Sequence, residues 1–287
     1  MSRCIYRSPH MGPGRWTSRR PGPLPQLRVP RFSNREMVSP SRDIKLLLTG
    51  FQGWGDVKIN PSELIGQQLD GAVLQLKGQP DSVDPPAPSV SARDSTSSPG
   101  AAPSPSRAVV TFKPVRVSYR EIEKLVPEFH DSGKWDCIVH VGLAKGYKAC
   151  TIETGSNSLG YSLKDVDGEL APDVGRGRGV DSARPRWDCT MNCRECCDEL
   201  NSMGYKNVKL SPDPGNFCCG YITACSLRCA YECVEQDPER KPIPVVFFHV
   251  PEPKEDDPTA PYTLNELTEI VRALCNFTAR QAIATKA

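Results

Sequence analysis

The sequence predicts an α/β fold, a mainly parallel sheet covered by helices on both faces, and three observations carry that expectation. Short apolar runs alternate along the chain with segments of helical periodicity. The runs are continuously apolar, as strands buried on both faces must be. Once two segments unfit for a core are set aside, roughly 215 residues remain, the size of one such domain.

The elements follow in order. Ile44–Thr49 reads as a buried strand and Gly50–Gly55 as the loop after it. Pro61–Leu69 is a short helix with proline in its first turn, where the missing N–H costs nothing. Val109–Val117 is a strand, after which Ser118, with Glu121 three residues on, signals a capping box. Cys137–Val141 is a strand closed by Gly142, Thr190–Met203 a helix and Val208–Leu210 a strand. Phe217–Val234 is helical and Val245–Val250 is a strand. The last helix is capped by Thr263 and Glu266 and carries Leu264, Leu267, Val271 and Leu274 on one face.

The two excluded segments are compositional. Residues 1–42 are rich in Arg and Pro with a single acid, Glu36, and read as a disordered arm. From about 79 to 107 the chain is mostly Pro, Ser, Ala and Asp, and reads as a disordered insertion that cannot bury enough apolar surface to order itself. The domain is expected over residues 43–285.

Composition excludes several function classes. Among 287 residues, 36 Lys and Arg face 34 Asp and Glu, so net charge points to neither nucleic acid nor an anionic surface. No run is apolar and long enough to span a membrane, and no secretory leader is recognisable. The 13 cysteines, odd in number and twice adjacent (Cys196-Cys197 and Cys218-Cys219), predict a reducing, cytoplasmic setting rather than a disulfide framework. Cys189, Cys193, Cys196 and Cys197 fall within one predicted helix without zinc-knuckle spacing, and are read as buried small residues, not a metal site. No cofactor is expected.

In open parallel sheets, ligands bind beyond the carboxyl ends of the strands. The segment Ser211 to Cys219 leaves a strand, turns, and enters a helix with Cys218 and Cys219 at its start. A thiol there feels the positive end of the helix dipole, which favours the thiolate, and the free N–H groups could hold an oxyanion. The strand Val245–Val250 brings His249 to its carboxyl end, and Cys137–Val141 does the same for His140. Glu153 follows in Thr151-Ile152-Glu153. Spacing alone does not choose between the two cysteines or the two histidines.

From about Ile44 to the last helix, these segments resemble the type I pyroglutamyl peptidases, a family of cysteine peptidases. Thr49-Gly50-Phe51-Gln52-Gly53-Trp54-Gly55, followed by Asn60-Pro61-Ser62, is similar to the family's opening T-G-F-x-P-F-G and N-P-S. Ser211 to Cys219 resembles its nucleophile motif, and Phe248-His249-Val250-Pro251 its histidine segment. Thr151-Ile152-Glu153, with Gly160-Tyr161 downstream, resembles the T-L-E…G-Y form.

The resemblance implies a three-layer α/β/α sandwich and removal of N-terminal pyroglutamate from peptides. It implies Cys219 as nucleophile, His249 as its base in place of His140, and Glu153 completing the triad. Phe51, Trp54 and Phe217 would wall the lactam pocket, and Asn60 would offer an amide hydrogen bond. A homo-oligomer is compatible with it. The chain departs from the pattern at Gly53 (for Pro), Trp54 (for Phe), Pro214 (for Ala) and Gly220 (for Asn or Asp). Its Gly142–Gly146 loop also lacks a lactam-contacting Gln. Gly53 is expected to loosen a pocket wall, and the changes together point to altered specificity or weak activity. The alternative is a non-catalytic member that binds blocked peptide N-termini.

Overall fold

The computed structural model describes residues 43–76, 107–131, 133–172, 184–205, 207–235 and 241–286. The expected arm at 1–42 and most of the expected insertion at 79–107 lie outside these residues. Arg107 does not belong to an insertion: it opens a strand, and its guanidinium pairs with Asp43 at 3.0 Å.

The strands are β1 (Ile44–Phe51), β2 (Val73–Gln75), β3 (Arg107–Val115), β4 (Cys137–Leu143), β5 (Cys150–Glu153), β6 (Gly155–Asn157), β7 (Arg186–Asp188), β8 (Val208–Ser211) and β9 (Val245–Val250). The helices are α1 (Pro61–Leu69), α2 (Tyr119–Asp131), α3 (Cys193–Ser202), α4 (Cys218–Glu232) and α5 (Leu264–Lys286). Seven strands form one sheet in the order β2-β3-β1-β4-β9-β5-β8, and β6 and β7 form a separate ribbon. The pairs β3–β1, β1–β4, β4–β9 and β5–β8 are parallel, while β2–β3 and β5–β9 are antiparallel.

Alternation along each strand builds two cores. Leu46 and Leu48 of β1, Val139 and Val141 of β4, and Val246 and Phe248 of β9 pack toward α1, α3 and α5. Their neighbours Leu47, Ile138, Val245 and Phe247 point to the opposite face, where α2 and α4 pack. Two apolar layers on one sheet make the expected α/β/α sandwich. The second face also carries the functional candidates: His249 is two residues beyond Phe247, and His140 two beyond Ile138. Among the described residues, no helix is long and apolar enough to cross a membrane.

Local signals were realised unevenly. Helix α1 starts as expected: the Asn60 side chain accepts from the Ser62 N–H at 3.0 Å, with Pro61 in the first turn. Helix α5 has its capping box, with Thr263 N–H donating to Glu266 at 2.7 Å and Glu266 N–H to the Thr263 hydroxyl at 3.2 Å. At α2 a different group takes the cap position. The Tyr119 N–H donates to the Asp165 carboxylate at 2.9 Å, so a distant loop supplies the anion that favours a helix start. Helix α3 begins three residues later than expected because Thr190 is used elsewhere. Its hydroxyl donates to the Ile243 carbonyl at 2.8 Å and accepts from the Val245 N–H at 2.7 Å. Gly142 lies inside β4 instead of ending it.

Candidate active site

Glu153 and His249 meet across the antiparallel pairing of β5 and β9. Thr151 stands opposite His249 and Glu153 opposite Phe247, all in register. Side chains two apart on a strand share a face, so the carboxylate reaches diagonally to the imidazole. His249 Nδ1 lies 2.8 Å from Glu153 Oε1, and the Thr151 hydroxyl donates to the same oxygen at 2.8 Å. Both residues are nearly closed to solvent, at 7% and 2% exposure.

Burial raises the Glu153 pKa, but the hydrogen bond and charge of His249, with the Thr151 hydroxyl, outweigh it and leave the carboxyl below its usual range. Burial likewise opposes the charged form of His249. Hydrogen bonds and charge from Cys219 and Glu153 win, and its pKa rises to about 9. With Nδ1 committed to Glu153, Nε2 is the ring nitrogen left for the Cys219 thiol. The carboxylate is bonded to the imidazole, and the sulfur acts on the imidazole's charge.

Cys219 comes from the start of α4. Phe217 is the N-cap and supplies no side-chain cap, so the first-turn N–H groups face outward without competition from a capping oxygen. The sulfur overhangs β4 at Gly142, the residue paired with His249. A side chain at Gly142 would place its first carbon 3.1 Å from the Cys219 sulfur and 2.7 Å from the Phe247 ring. Glycine in mid-strand therefore makes room for the nucleophile candidate.

His140, the competing base, is arranged differently. Its Nδ1 is held by the Thr49 hydroxyl at 2.7 Å, it has no measurable exposure, and burial depresses its pKa to about 3. Of the two histidines, only His249 is bonded to a carboxylate. Cys218, the competing thiol, is fully buried and joins the apolar cluster between α4 and the sheet, whereas Cys219 is partly exposed.

The pocket candidates converge beside Cys219. Phe51, Trp54, Asn60 and Phe217, together with Val117, Leu143, Cys218 and Cys219, line one cavity of about 50 Å³. A single water needs roughly 10–15 Å³ of such space, so the cavity suits one small ring. The Trp54 and Phe217 rings lie 5.8 Å apart at 55°, forming one wall. On their far side they border a wider cavity of about 530 Å³ that includes Leu163 and Val166.

Asn60 doubles as the N-cap of α1. Its Oδ1 accepts from both the N–H and the hydroxyl of Ser62, and Nδ2 gives one hydrogen to the Gln52 carbonyl at 3.4 Å, leaving the other to be offered to a ligand. Ser62 also accepts from the Phe51 N–H at 3.0 Å, tying the two pocket residues together. Gly50 permits this approach: any side chain there would meet the Ser62 carbonyl at 2.3 Å.

The expectation that Gly53 loosens the wall is corrected by the geometry. Trp54 and Val57 exchange two backbone hydrogen bonds of 2.9 Å, folding the loop back on itself. The space beside Gly53 is filled by the Lys58 carbonyl, 2.3 Å from where a side chain would begin. The missing side chain is replaced by backbone, and the wall is closed.

The four clustered cysteines are taken up by backbone bonds and by the core. The Cys189 thiol donates to the Val245 carbonyl at 3.0 Å and that of Cys197 to the Val208 carbonyl at 3.4 Å. Cys193, Cys196 and Cys197 pack into the core of α1, α3 and α5. Cys189, Cys193, Cys196 and Cys197 are not joined in disulfides.

Sequence reasoning did not assign Thr151, Gly142 or Ser156 to the site. Thr151 was within reach, since it shares a strand face with Glu153. Gly142 and Ser156 matter through contacts with segments more than 60 residues away, as in the Ser156–Gly220 separation of 64, and no local signal marks them.

No family model matches the sequence. Over 189 residues the chain is 26% identical to the pyrrolidone-carboxylate peptidase of Pyrococcus furiosus, covering 64% of this chain and 73% of that protein. Its fold is similar to that of pyroglutamyl peptidase I from Bacillus amyloliquefaciens, with a TM-score of 0.62 and 20% identity over 84% of this chain and 98% of that one. It is also similar to the pyrrolidone carboxyl peptidase of Thermococcus litoralis, with a TM-score of 0.62 and 17% identity over 85% and 96% of the two chains. In sequence and in fold alike, the chain resembles the type I pyroglutamyl peptidases.

Proposed function

We propose that the chain is a cysteine peptidase that removes N-terminal pyroglutamate from peptides. The observation that carries this reading is the 2.8 Å contact between Glu153 and His249, with Cys219 raising the His249 pKa, beside a ring-sized cavity lined by Cys219, Phe51, Trp54 and Phe217. The similarity to proteins named for pyroglutamyl or pyrrolidone-carboxylate cleavage supports the substrate.

Pyroglutamate is a lactam with no free amine, so a neutral, mostly apolar pocket suits it better than an acidic one. In this reading the remaining Asn60 Nδ2 hydrogen goes to the lactam carbonyl. In the reaction, His249 takes the Cys219 proton and the thiolate attacks the pyroglutamyl carbonyl carbon. The carbonyl electrons move onto oxygen, where first-turn N–H groups of α4 receive them. As the C–N bond breaks, His249 gives its proton to the leaving amine. Water then attacks the thioester while His249 accepts its proton; pyroglutamate leaves and the thiol is restored. Glu153 keeps the ring oriented throughout and stabilises its charged form.

Release of a fluorogenic amine from a pyroglutamyl conjugate, measured against alanyl and prolyl conjugates, tests the reading. Selective cleavage of the pyroglutamyl conjugate that disappears in Cys219→Ala, with the fold retained, is expected. Turnover that survives in Cys219→Ala would overturn the assignment. If the chain binds blocked N-termini without cleaving them, a pyroglutamyl aldehyde will protect Cys219 from alkylation while the conjugate stays intact.

A further inference from the structure

The turn that presents Cys219 is held by hydroxyls that take no part in the reaction described above. The Ser156 hydroxyl donates to the Gly220 carbonyl at 2.9 Å. The Tyr161 hydroxyl lies 3.1 Å from the same carbonyl and 3.1 Å from the Ser156 oxygen, and is also bonded to the Asn157 carbonyl. Each hydroxyl has one proton: Ser156 gives its own to the Gly220 carbonyl, and Tyr161 shares its between the Gly220 and Asn157 carbonyls. One residue earlier, Thr223 donates its hydroxyl to the Cys219 carbonyl at 2.7 Å.

We propose that Ser156 and Tyr161 are positioning residues for the nucleophile, acting through the Gly220 carbonyl to hold the first turn of α4, whose free N–H groups receive the oxyanion. The inference rests on the reading of Cys219 as nucleophile. A peptide unit is planar, so holding its carbonyl also holds its N–H. The Cys219 carbonyl shares a plane with the Gly220 N–H, which Thr223 fixes. The Gly220 carbonyl shares the next plane with the Tyr221 N–H, which donates to the Phe217 carbonyl at 3.0 Å, so Ser156 and Tyr161 hold the first turn of α4 closed around Cys219.

The opposite side of the turn is gripped as well. A side chain at Gly220 would meet the Gly215 carbonyl at 1.8 Å, so the loop before the helix rests directly on its backbone. Asp213 holds that loop by accepting from the Gly215 N–H at 2.9 Å and from Asn157 Nδ2 at 2.8 Å. Ser156 and Asn157 thus brace two sides of the same turn from one strand, which begins two residues after Glu153. Ser156 is fully buried and Tyr161 is 2% exposed, and the Tyr161 ring packs edge-on against Tyr221 at 5.2 Å. Glycine at 220, where the family's pattern has Asn or Asp, accompanies this close packing.

Ser156→Ala and Tyr161→Phe each remove a hydroxyl while keeping the strand residue or the ring. Three measurements separate positioning from packing: kcat and KM on a pyroglutamyl coumarylamide, affinity for a pyroglutamyl aldehyde, and the rate of Cys219 alkylation by iodoacetamide. The aldehyde adds the sulfur to its carbonyl carbon and generates an oxyanion; alkylation forms a C–S bond with loss of iodide and needs no oxyanion site. In both variants kcat and aldehyde affinity should fall roughly 10- to 100-fold, with KM, alkylation and thermal midpoint near wild type. Ser156→Thr, which keeps the hydroxyl, should restore aldehyde affinity. The positioning role is overturned if neither variant changes kcat, or if kcat, alkylation and thermal midpoint all fall together. A wild-type protein that neither cleaves the coumarylamide nor binds the aldehyde would overturn the pyroglutamyl reading and this inference with it. One that does both while the variants match it overturns the positioning role alone.

Discussion

Glu153 Oε1 and His249 Nδ1 lie 2.8 Å apart across the antiparallel seam where β5 joins an otherwise parallel run of strands. The reversal matters because it sets the carboxylate on the face that β9 presents to Cys219, two positions along the strand from the residue opposite His249. The same oxygen also receives the Thr151 hydroxyl, so the acceptor cannot swing away from the imidazole without losing two bonds.

Glu153→Gln should cut turnover of a pyroglutamyl conjugate by roughly 10²- to 10⁴-fold, since an amide can hold the ring in the wrong tautomer and cannot stabilise imidazolium. It should also shift the alkaline limb of the pH–rate profile. In the wild type, the carboxylate and Cys219 raise His249 to about 9. Without the charge at 153 the limb should move toward neutral pH. An unchanged limb would mean that Glu153 does not govern His249.

Gly142→Ala should slow both turnover and alkylation of Cys219. The added carbon would stand 3.1 Å from the sulfur and 2.7 Å from Phe247, forcing the thiol off its seat above β4. Overpacking of this kind costs about 1–3 kcal/mol, so a lower thermal midpoint should accompany the loss. Alkylation at the wild-type rate would show that the sulfur does not depend on this gap.

Trp54→Ala and Phe217→Ala should each raise KM more than they lower kcat, because the rings bind the substrate's lactam in both ground and transition states. The rings contact one another, so the two losses should not add in the double variant, with a coupling of about 0.5–1.5 kcal/mol. Strict additivity would argue against a shared wall.

Stability should fall on both sides of near-neutral pH, through different histidines. Burial depresses His130 to about 4 and His140 to about 3, with His130 also lowering His140. The unfolded chain takes up these protons from about pH 6.5 downward while the native state refuses them, so each histidine costs on the order of 1.4 kcal/mol per pH unit until its folded value is reached. His249 acts oppositely. Raised to about 9, it contributes stability that is complete below about pH 6.5 and lost as pH rises through about 9. Thermal midpoints measured from pH 4 to 10 should therefore peak near pH 6.5. His130→Gln should flatten the acid limb and Cys219→Ala the alkaline one; limbs unmoved by either change would refute the assignment.

Much of this was legible in the sequence where local chemistry decides the outcome. Pro61 announces a helix start, Thr263 and Glu266 another, and the apolar runs at Ile44 and Val245 read as buried strands. What escaped was set by partners far along the chain. Ser118 and Glu121 spell a capping box, yet Asp165 takes the cap position. Strand β5 is four residues long and owes its place to β8 and β9, both encoded more than 50 residues later. His140 and His249 share a sheet face on neighbouring strands, two register positions apart. Only the tertiary partner, the Thr49 hydroxyl or the Glu153 carboxylate, distinguishes a buried structural imidazole from a charged one.

The place of β9 has a consequence for biosynthesis. It is the last strand encoded, yet it lies between β4 and β5. Until Val245–Val250 leave the ribosome, β2-β3-β1-β4 and β5-β8 share no strand and form two unconnected half-sheets, each with an open edge. Such long-range closure is slow, so the nascent chain should expose aggregation-prone edges and engage chaperones for most of its synthesis. His249 arrives on that closing strand, which means that its contact with Glu153 cannot form before the sheet is whole.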